Sequence, residues 1–262
     1  MLGEKQMGAI ITLTTDFGSK DHYAGAMKGV ILSINPDVTI TDITHEVPPH
    51  DVFKGAFTLR NFYRYFPRRT IHVAVVDPGV GGRRKAIALE ADGHIFVGPD
   101  NGIFTFIYRE SKPYRAHEIK GHKHILSGIS RTFHGRDIFA PVAAHLSLGV
   151  SVEDLGKRMR KPTELPIKGP ELRRDEIIGE VIYIDSFGNL VTNIPAESVK
   201  SGSRVRIGET IIRGLSTSYS VVPKGRLLAI VGSSGFLEIS VHLGRACDVI
   251  RGRDEVRLKI KS

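Results

Sequence analysis

The sequence contains no tryptophan and a single cysteine, Cys247, among its 262 residues. One cysteine excludes an internal disulfide framework and four-cysteine zinc sites, and it is typical of a protein of the reducing cytoplasm. No apolar run is long enough for an N-terminal signal peptide or for a transmembrane helix, so we expect a cytoplasmic protein. The missing tryptophan and the short, charged linkers are also typical of thermophilic proteins.

The signatures of several common enzyme mechanisms are missing as well. The chain has no Walker loop, no G-x-G-x-x-G between a strand and a helix, no H-E-x-x-H, no EF-hand loop and no G-x-S-x-G elbow. Each of these motifs supplies a phosphate cradle, a metal site or an activated nucleophile. Their absence disfavours the enzyme classes that depend on them.

Basic residues outnumber acidic ones, 37 to 28, which gives a formal net charge of +9 at pH 7. Such a balance permits binding to nucleic acid or to an acidic membrane surface. The excess, however, lies in short clusters, and no aromatic-rich RNA-binding motif accompanies them. We therefore interpret the charge as a solvated basic surface and expect neither nucleic acid nor membrane as a partner.

The first half of the chain alternates apolar, β-branched runs with segments of helical periodicity. The predicted elements are, in order, strand, helix, strand, helix and strand, over residues 9–15, 23–34, 38–43, 52–66 and 71–76. Ser19 or Asp21 is the expected N-cap of the first helix and Asp51 that of the second, and a further helix is predicted over 137–148. The β-α-β-α-β order predicts a parallel sheet with right-handed crossovers.

The pattern changes beyond the third predicted strand. Asp92-Gly93 predicts a hairpin turn between two apolar runs, whereas residues 103–108 show no decisive pattern. Residues 157–174 are rich in charge and proline and are interpreted as a linker. Beyond them, short β-rich runs without helical spacing predict a barrel or sandwich, over 177–184, 190–194, 204–207, 209–212, 227–231, 237–241 and 255–260.

The predicted fold is therefore an α/β N-terminal domain with a mainly parallel central sheet, plus an all-β, barrel-like C-terminal domain. The corresponding division of the chain is 1–165 and 166–262. Both lengths suit a domain with its own hydrophobic core.

Six polar stretches interrupt apolar runs and are candidates for a site: residues 14–18, Asp77 with Arg84, 99–102, 133–137, 185–189 and 232–235. Asp16 and Asp77 follow strands of one predicted parallel sheet, so their carboxylates can face one crevice. Each is, taken singly, equally typical of a turn or a helix cap. His134 alone is typical of a structural histidine, and Arg136-Asp137 of an ion pair at a helix start.

Two residues of the second half suit a flat heterocyclic ligand. Phe187, between polar neighbours, can stack on such a ring or belong to a core or an interface. Asn189 carries a carboxamide that both donates and accepts hydrogen bonds, which is what discrimination of adenine requires. His45, His50, His122 and His124 lie in loops and are interpreted as surface residues.

Long motifs along the chain resemble those of the S-adenosyl-L-methionine (SAM) hydrolases, also called SAM hydroxide adenosyltransferases, which are related to the fluorinases and chlorinases. The matching motifs are TTDFG, NPDVTITDITHEVPP, VVDPGVGGRRKAI, PDNG, TFHGRDIFAP, YIDSFGNLVTNI and GSSGFLEISV. They occur in register from about residue 9 to residue 250. The resemblance implies hydrolysis of SAM to adenosine and L-methionine without metal or cofactor. It also implies a homotrimer whose active sites lie between the N-terminal domain of one subunit and the C-terminal domain of a neighbour.

The same resemblance assigns expected roles to individual residues. Asp77, Arg84 and His134 correspond to a triad that organises the attacking water. Asp16 is expected to bind the ribose hydroxyls, and Phe133 to line the pocket. The other expected substrate contacts are Asp185 with the methionyl amine, Phe187 and Asn189 with the adenine face and edge, Ser233 and Ser234 with the methionyl amino and carboxylate groups, the Leu243 backbone with adenine, and Glu238 with the substrate.

The chain departs from its halogenating relatives at several positions. They carry an uncharged residue at the position of Asp77, and the fluorinase has an insertion that is absent after Lys85. The halide-facing serine of the fluorinase corresponds to Gly135, and a basic residue corresponds to Ser234. A carboxylate beside the nucleophile repels a halide and accepts a hydrogen bond from water, which favours the hydrolase.

Three alternatives remain open at this point. One is a SAM-dependent halogenase that forms a 5′-halo nucleoside. Another is a metal-dependent phosphohydrolase with Asp16, Asp77, Asp100, Asn101 and His134 as ligands. The last is a non-catalytic module that binds a nucleoside or RNA.

Overall fold

The computed structural model describes residues 8–200, 202–250 and 255–259. The chain divides into two compact units, Met1–Pro166 and Ile167–Ser262. None of the described helices has the length and apolar character needed to cross a lipid bilayer.

Unit 1 contains a mixed sheet with helices packed against it. Its strands are β1 (Ile10–Thr15), β2 (Thr39–Thr44), β3 (Ile71–Val75), β4 (Ala86–Ala91), β5 (His94–Pro99), β6 (Tyr114–Glu118) and β7 (Arg158–Met159). The strand order is β2-β1-β3-β5-β4-β6-β7. Pairing is parallel from β2 through β1 and β3 to β5, and antiparallel from there to β7. The carboxyl ends of β1 and β3 are therefore neighbours at one edge of the sheet.

The α-helices among the described residues of this unit are α1 (Tyr23–Ile34), α2 (Val52–Phe62), α3 (Thr105–Glu110) and α4 (Ala140–Ser147). The predicted cap of α2 is confirmed, since the Asp51 side chain accepts a hydrogen bond from the Lys54 backbone N–H. The predicted cap of α1 is wrong. That helix begins after His22, without a side-chain cap, because the preceding residues form the turn that carries Asp16.

The hairpin predicted at Asp92-Gly93 joins β4 and β5. Both turn residues have positive φ, 51° and 78°, as a type I′ turn requires, and glycine adopts that conformation without steric cost. Residues 63–65 form a single 3₁₀ turn, so α2 is shorter than the predicted helix over 52–66.

Unit 2 is an antiparallel sheet that nearly closes into a barrel. Its strands are β8 (Glu171–Leu172), β9 (Glu176–Ile184), β10 (Leu190–Pro195), β11 (Arg204–Ile207), β12 (Thr210–Arg213), β13 (Leu227–Val231), β14 (Phe236–Val241) and β15 (Glu255–Lys259), with one short helix, α5 (Ala246–Val249). The order is β12-β11-β15-β9-β10-β14-β13, and the end strands β12 and β13 contact each other. Alternate residues point into one apolar core. The predicted fold class is confirmed; residue 260, predicted to end the last strand, lies outside the described residues.

A buried pair of histidines lies in the core of unit 1. His72 on β3 is fully buried, and its Nδ1 lies 2.8 Å from the Thr12 hydroxyl oxygen. Its Nε2 lies 3.2 Å from Nδ1 of His94, and the rings of Phe62 and Phe96 pack against it. Burial, together with the neighbouring His94, lowers the pKa of His72 from 6.5 to about 3. The native state therefore keeps this imidazole neutral.

We expect acid to destabilise the protein through this histidine. Its pKa is lower in the folded than in the unfolded state, so the unfolded state binds more protons between pH 6.5 and about 3. The His72 contribution is complete above pH 6.5, and the free energy of unfolding falls by about 1.4 kcal/mol per pH unit below it. Urea unfolding at a series of pH values measures this slope.

The matched variants are His72→Phe, which keeps a ring in the aromatic cage, and His122→Gln, which removes an exposed imidazole. His72→Phe should flatten the slope by roughly one proton, and His122→Gln should leave it unchanged. An equal slope in His72→Phe and wild type would contradict the assignment.

Candidate active site

A cavity of about 290 Å³ opens at the carboxyl edge of the parallel strands in unit 1. This edge is where open α/β sheets bind their ligands. The lining residues come from the end of β3, from the segments that follow β1, β2 and β3, from the start of α1 and from the stretch at the π-helical turn before α4. They are Asp16, Phe17, Tyr23, Pro49, His50, Val75, Asp77, Val80, Thr132, Phe133, His134 and Gly135.

Asp77, which lines this cavity, forms a bidentate ion pair with Arg84. Arg84 Nε lies 2.9 Å from Oδ1 and 3.0 Å from Oδ2 of Asp77, and Nη2 also donates to Oδ2. The two side chains are only 5% (Asp77) and 10% (Arg84) exposed. The guanidinium also lies over the ring of Phe139, 5.3 Å from its centroid, which fixes its plane. Such a pair has a rigid geometry and little freedom to exchange with solvent.

Arg84 extends this pair to His134. Its Nη2 lies 2.7 Å from Nδ1 of His134. Because a guanidinium has no acceptor, Nδ1 must accept this hydrogen bond and the ring proton lies on Nε2. Burial and the Arg84 cation lower the pKa of His134, so the imidazole is neutral at pH 7. Asp77, Arg84 and His134, which the family resemblance groups as a triad, thus form one continuous chain of hydrogen bonds.

A π-helical turn, Gly135–Phe139, places His134 at the cavity. Pro141 has no N–H to donate to the Asp137 carbonyl, which instead accepts from the Leu126 backbone N–H at 3.0 Å. The Asp137 carboxylate is fully buried and accepts from Arg136 Nε at 2.6 Å and from the Ser130 N–H at 2.7 Å. The predicted Arg136–Asp137 ion pair is confirmed. The contact between the Ser130 N–H and Asp137 ties the segment before His134 to this turn.

Three aromatic rings form one wall of the cavity. Phe133 makes edge contacts with Tyr23 at 5.0 Å and with Phe17 at 5.8 Å between centroids, and Phe17 lies 5.7 Å from Tyr23. Arg136 covers the ring of Phe133 at 5.0 Å. These rings give the cavity an apolar lining beside its polar residues Asp77 and His134.

Asp16 lines the cavity at the start of the turn that directly follows β1. Its Oδ2 accepts a hydrogen bond from the His50 backbone N–H at 2.9 Å. Behind the turn, Thr15 Oγ1 lies 2.8 Å from His45 Nδ1, and Asp42 Oδ1 lies 3.2 Å from His45 Nε2. The interpretation of His45 as a surface residue is therefore wrong, because its side chain is part of the network that supports the Asp16 turn.

Tyr23, Pro49 and His50 line the cavity but were not among the predicted site residues. Tyr23 was assigned only to a helix, and His50 to the surface. One signal in the sequence points to the Pro49-His50 segment: it follows the strand that pairs with β1, so it reaches the same edge of the sheet as Asp16.

In unit 2 the predicted residues Asp185, Phe187 and Asn189 share one tight turn. Asp185 Oδ1 and Oδ2 accept from the backbone and side-chain N–H groups of Asn189, both at 2.8 Å. Gly188 has φ 81°, and a Cβ there would lie 2.7 Å from Cβ of Arg245, so the turn packs tightly. The turn presents Phe187, which is 74% exposed, to solvent.

Glu238 lies buried on β14, beside the turn that carries Ser233 and Ser234. Its Oε1 accepts from Tyr219 Oη at 2.9 Å and from Ser240 Oγ at 2.8 Å. Burial and this hydrogen bond to Glu238 raise the pKa of Tyr219 to about 12. Among the described residues, neither Glu238 nor Asp185 has an ion-pair partner, so this part of unit 2 is suited to a cationic group.

Leu243 follows β14 with φ 53°, and its side chain is exposed.

Tyr219 is not among the predicted site residues, and the sequence around it carries no motif that would have identified it.

The structure thus gathers Asp16, Asp77, Arg84, Phe133 and His134 at one cavity of unit 1. Within the described part of the chain, no group of three or more His, Cys, Asp or Glu side chains has the arrangement of a metal site. A larger cavity of about 560 Å³ lies at the opposite edge of the sheet, beside Thr70 and Ile71. Among the described residues that line this cavity, only Arg68 and Arg69 have ionisable side chains, so the cavity offers no acid–base pair.

Comparison with known families gives two matches along the chain. Residues 11–156 match the SAM hydroxide adenosyltransferase N-terminal domain, and residues 179–257 match the C-terminal domain of the same family. The chain is 37% identical over 254 residues to the (R)-S-adenosyl-L-methionine hydrolase of Salinispora tropica, covering 95% of this chain and 97% of that one. It is 30% identical over 230 residues to the fluorinase of Nocardia brasiliensis, covering 76% of this chain and 77% of the fluorinase.

The fold is similar to the crystal structure of an uncharacterized conserved protein from Thermotoga maritima. The TM-score is 0.89 at 40% sequence identity, and the match covers 95% of this chain and 99% of the other.

Proposed function

The chain belongs to the SAM hydroxide adenosyltransferase family, and we propose that it is a hydrolase that converts SAM and water to adenosine and L-methionine. The observation that carries this proposal is the hydrogen-bonded chain of Asp77, Arg84 and His134 at the cavity. A carboxylate, a cation and a neutral imidazole around one small volume suit the capture and polarisation of a water molecule.

The proposed reaction is an in-line displacement at C5′ of the adenosyl group. The water oxygen bonds to C5′, the C5′–S bond breaks, and its electron pair stays on sulfur, so methionine leaves as a neutral thioether. The sulfonium charge disappears along the way, so a rigid, water-poor pocket favours the less polar transition state.

The difficult step is activation of the nucleophile, because bulk water is a very weak acid whose pKa lies far above neutral pH. Nδ1 of His134 is occupied by Arg84, so the imidazole can offer only its Nε2–H donor. His134 and Arg84 therefore stabilise the developing negative charge on oxygen, and the Asp77 carboxylate accepts the proton before passing it to solvent. The tautomer of His134 thus supports Asp77 as the proton acceptor, an assignment that the sequence leaves open.

The other predicted residues are proposed to hold the substrate. Asp16 binds the ribose hydroxyls and Phe133 packs in the pocket. In unit 2, Phe187 stacks on adenine, Asn189 and the Leu243 backbone contact its edge, and the acidic pair of Asp185 and Glu238 meets the methionyl amine. Ser233 and Ser234 are proposed to contact the methionyl amino and carboxylate groups.

These residues belong to two units, and we propose that a neighbouring subunit of a homotrimer completes each active site. The exposed Phe187 supports this proposal, because a large exposed aromatic side chain is suited to a ligand or an interface. We also propose a cytoplasmic location, where SAM is available as substrate.

Two alternatives are disfavoured by particular observations. A halogenase must hold a halide ion beside C5′, where the Asp77 carboxylate would repel it. A metal-dependent phosphohydrolase would need Asp77, Asp100 and Asn101 as ligands. Instead, the Asp77 carboxylate contacts Arg84, and the Asp100 carboxylate accepts from the Thr163 N–H. The Asn101 carboxamide contacts the Val76 carbonyl and the Ile103 N–H.

The proposal is tested with SAM in H₂¹⁸O, in halide-free buffer after exhaustive chelation. We expect adenosine and L-methionine in equal amounts, with the label in the 5′-hydroxyl of adenosine. A second arm adds chloride or fluoride. Formation of a 5′-halo nucleoside, loss of activity on chelation, or absence of turnover would each contradict the proposed hydrolysis.

A further inference from the structure

The turn Pro99-Asp100-Asn101-Gly102 was singled out in the sequence, but the reaction described above does not use it. It follows β5, the sheet neighbour of β3. The loop that carries Asp77 and Arg84 begins at Val76, directly after β3, and ends at Lys85, directly before β4. The turn therefore lies beside both ends of the loop that carries two members of the catalytic chain.

At the start of the loop, just beyond the end of β3, the Asn101 side chain supplies a hydrogen bond to the backbone. Val76 is fully buried and lies beyond the last residue of β3. Its carbonyl accepts a hydrogen bond from Asn101 Nδ2 at 2.8 Å. Asn101 Oδ1 in turn accepts from the Ile103 backbone N–H at 3.2 Å. The carboxamide thus contacts two backbone groups. Its oxygen binds the turn itself, and its nitrogen binds the carbonyl of the peptide unit that precedes Asp77.

At the other end of the loop, the Asp100 backbone N–H donates to the Lys85 carbonyl at 2.9 Å. The Asp100 carboxylate accepts from the Thr163 N–H at 2.7 Å, which holds the turn in place. Both termini of the loop are therefore attached to two consecutive residues of one turn, and Asp77 and Arg84 lie next to the attachment points.

We propose that Asn101 is a positioning residue for the reaction, which it serves by fixing the Val76–Asp77 peptide and hence the Asp77–Arg84–His134 chain. The inference rests on the proposed function, since it assigns Asn101 to the machinery of that reaction. A misplacement of about 1 Å in a reacting group can cost about a hundredfold in rate. The expected consequence of losing this contact is a loss in kcat rather than in affinity, because Asn101 does not line the cavity.

Two substitutions separate the roles of the carboxamide. Asn101→Asp keeps an acceptor for the Ile103 N–H but loses the donor to Val76 and places an oxygen against that carbonyl. Asn101→Ala loses both contacts. The matched control is Asn61→Asp on α2, whose side chain accepts a hydrogen bond from the neighbouring Arg60.

The experiment measures kcat and KM for SAM, the Kd of adenosine by calorimetry, and the ¹⁵N shifts of the His134 imidazole. We expect both Asn101 variants to lose about 10- to 100-fold in kcat, with KM and the adenosine Kd within about threefold of wild type. The His134 shifts should change from a single Nε2–H tautomer to an average of two tautomers. Asn61→Asp should match wild type in every readout.

Several outcomes would overturn the inference. One is an Asn101→Asp variant with wild-type kcat and unchanged His134 shifts. Another is a loss of kcat matched by an equal loss of adenosine affinity, and a third is a variant that does not fold, because Asn101 would then support the fold as a whole. If the wild-type protein does not hydrolyse SAM, the proposed function is wrong, and the His134 shifts still decide whether Asn101 positions the chain.

Discussion

Replacement of Asp77 by asparagine is expected to lower kcat for SAM hydrolysis by about 10³-fold and to leave KM within about threefold. Asparagine keeps the shape of the side chain but cannot accept the proton of the attacking water. It also leaves Arg84, which is 10% exposed, without the carboxylate that neutralises it. Steady-state kinetics with product chromatography measure the effect.

The control for this variant is Asp37→Asn, an exposed carboxylate of the same unit outside the cavity. It should retain wild-type kinetics. An equal loss in kcat and in substrate affinity for Asp77→Asn would mean that the carboxylate only binds substrate. Wild-type kcat would remove Asp77 from the mechanism altogether.

The sequence predicts the fold well where periodicity and turn chemistry agree. The parallel order, the Asp51 cap and the Asp92-Gly93 hairpin all depend on local patterns that the structure retains. Residues 103–108, which had no decisive pattern, contribute to helix α3, because burial of Phe106 and Ile107 outweighs weak local preference. The start of α1 differs because the turn that carries Asp16 replaces a local cap.

For the site, the sequence pattern could predict only which polar residues lie near the ends of strands. Asp16 and Asp77 are brought together by the neighbouring strands β1 and β3. The β-α-β-α-β order predicts that both strands belong to one parallel sheet, but it does not predict that they are neighbours. The tautomer of His134 could not be predicted, since it depends on Arg84, 50 residues earlier in the chain. The role of Asn101 is equally hidden, because its partner, the Val76 carbonyl, exists as a target only once the sheet has formed.

Mixing two inactive proteins should restore activity if each site is built from two subunits. One protein carries Asp77→Asn in unit 1, and the other carries Asp185→Ala with Phe187→Ala in unit 2. The second pair removes the stacking surface and the carboxylate that we propose for adenine and for the substrate amine, and it should cost about 10²-fold in kcat/KM. The assay therefore uses SAM well below the wild-type KM.

When the two proteins are mixed at equal ratio and exchange chains, each site has an intact unit 1 in about half of the cases and an intact neighbouring unit 2 in about half. Both units are therefore intact in about a quarter of the sites, whatever the number of subunits in the ring. We therefore expect about a quarter of wild-type activity. The matched control mixes Asp77→Asn with His134→Gln; both lesions lie in unit 1, so no combination of chains rebuilds a site. Activity no higher than the sum of the parents in the first mixture would place the whole site within one chain and contradict the shared site. Restored activity in the first mixture alone would require that water activation and substrate binding come from different subunits, because no single chain in that mixture carries both parts intact.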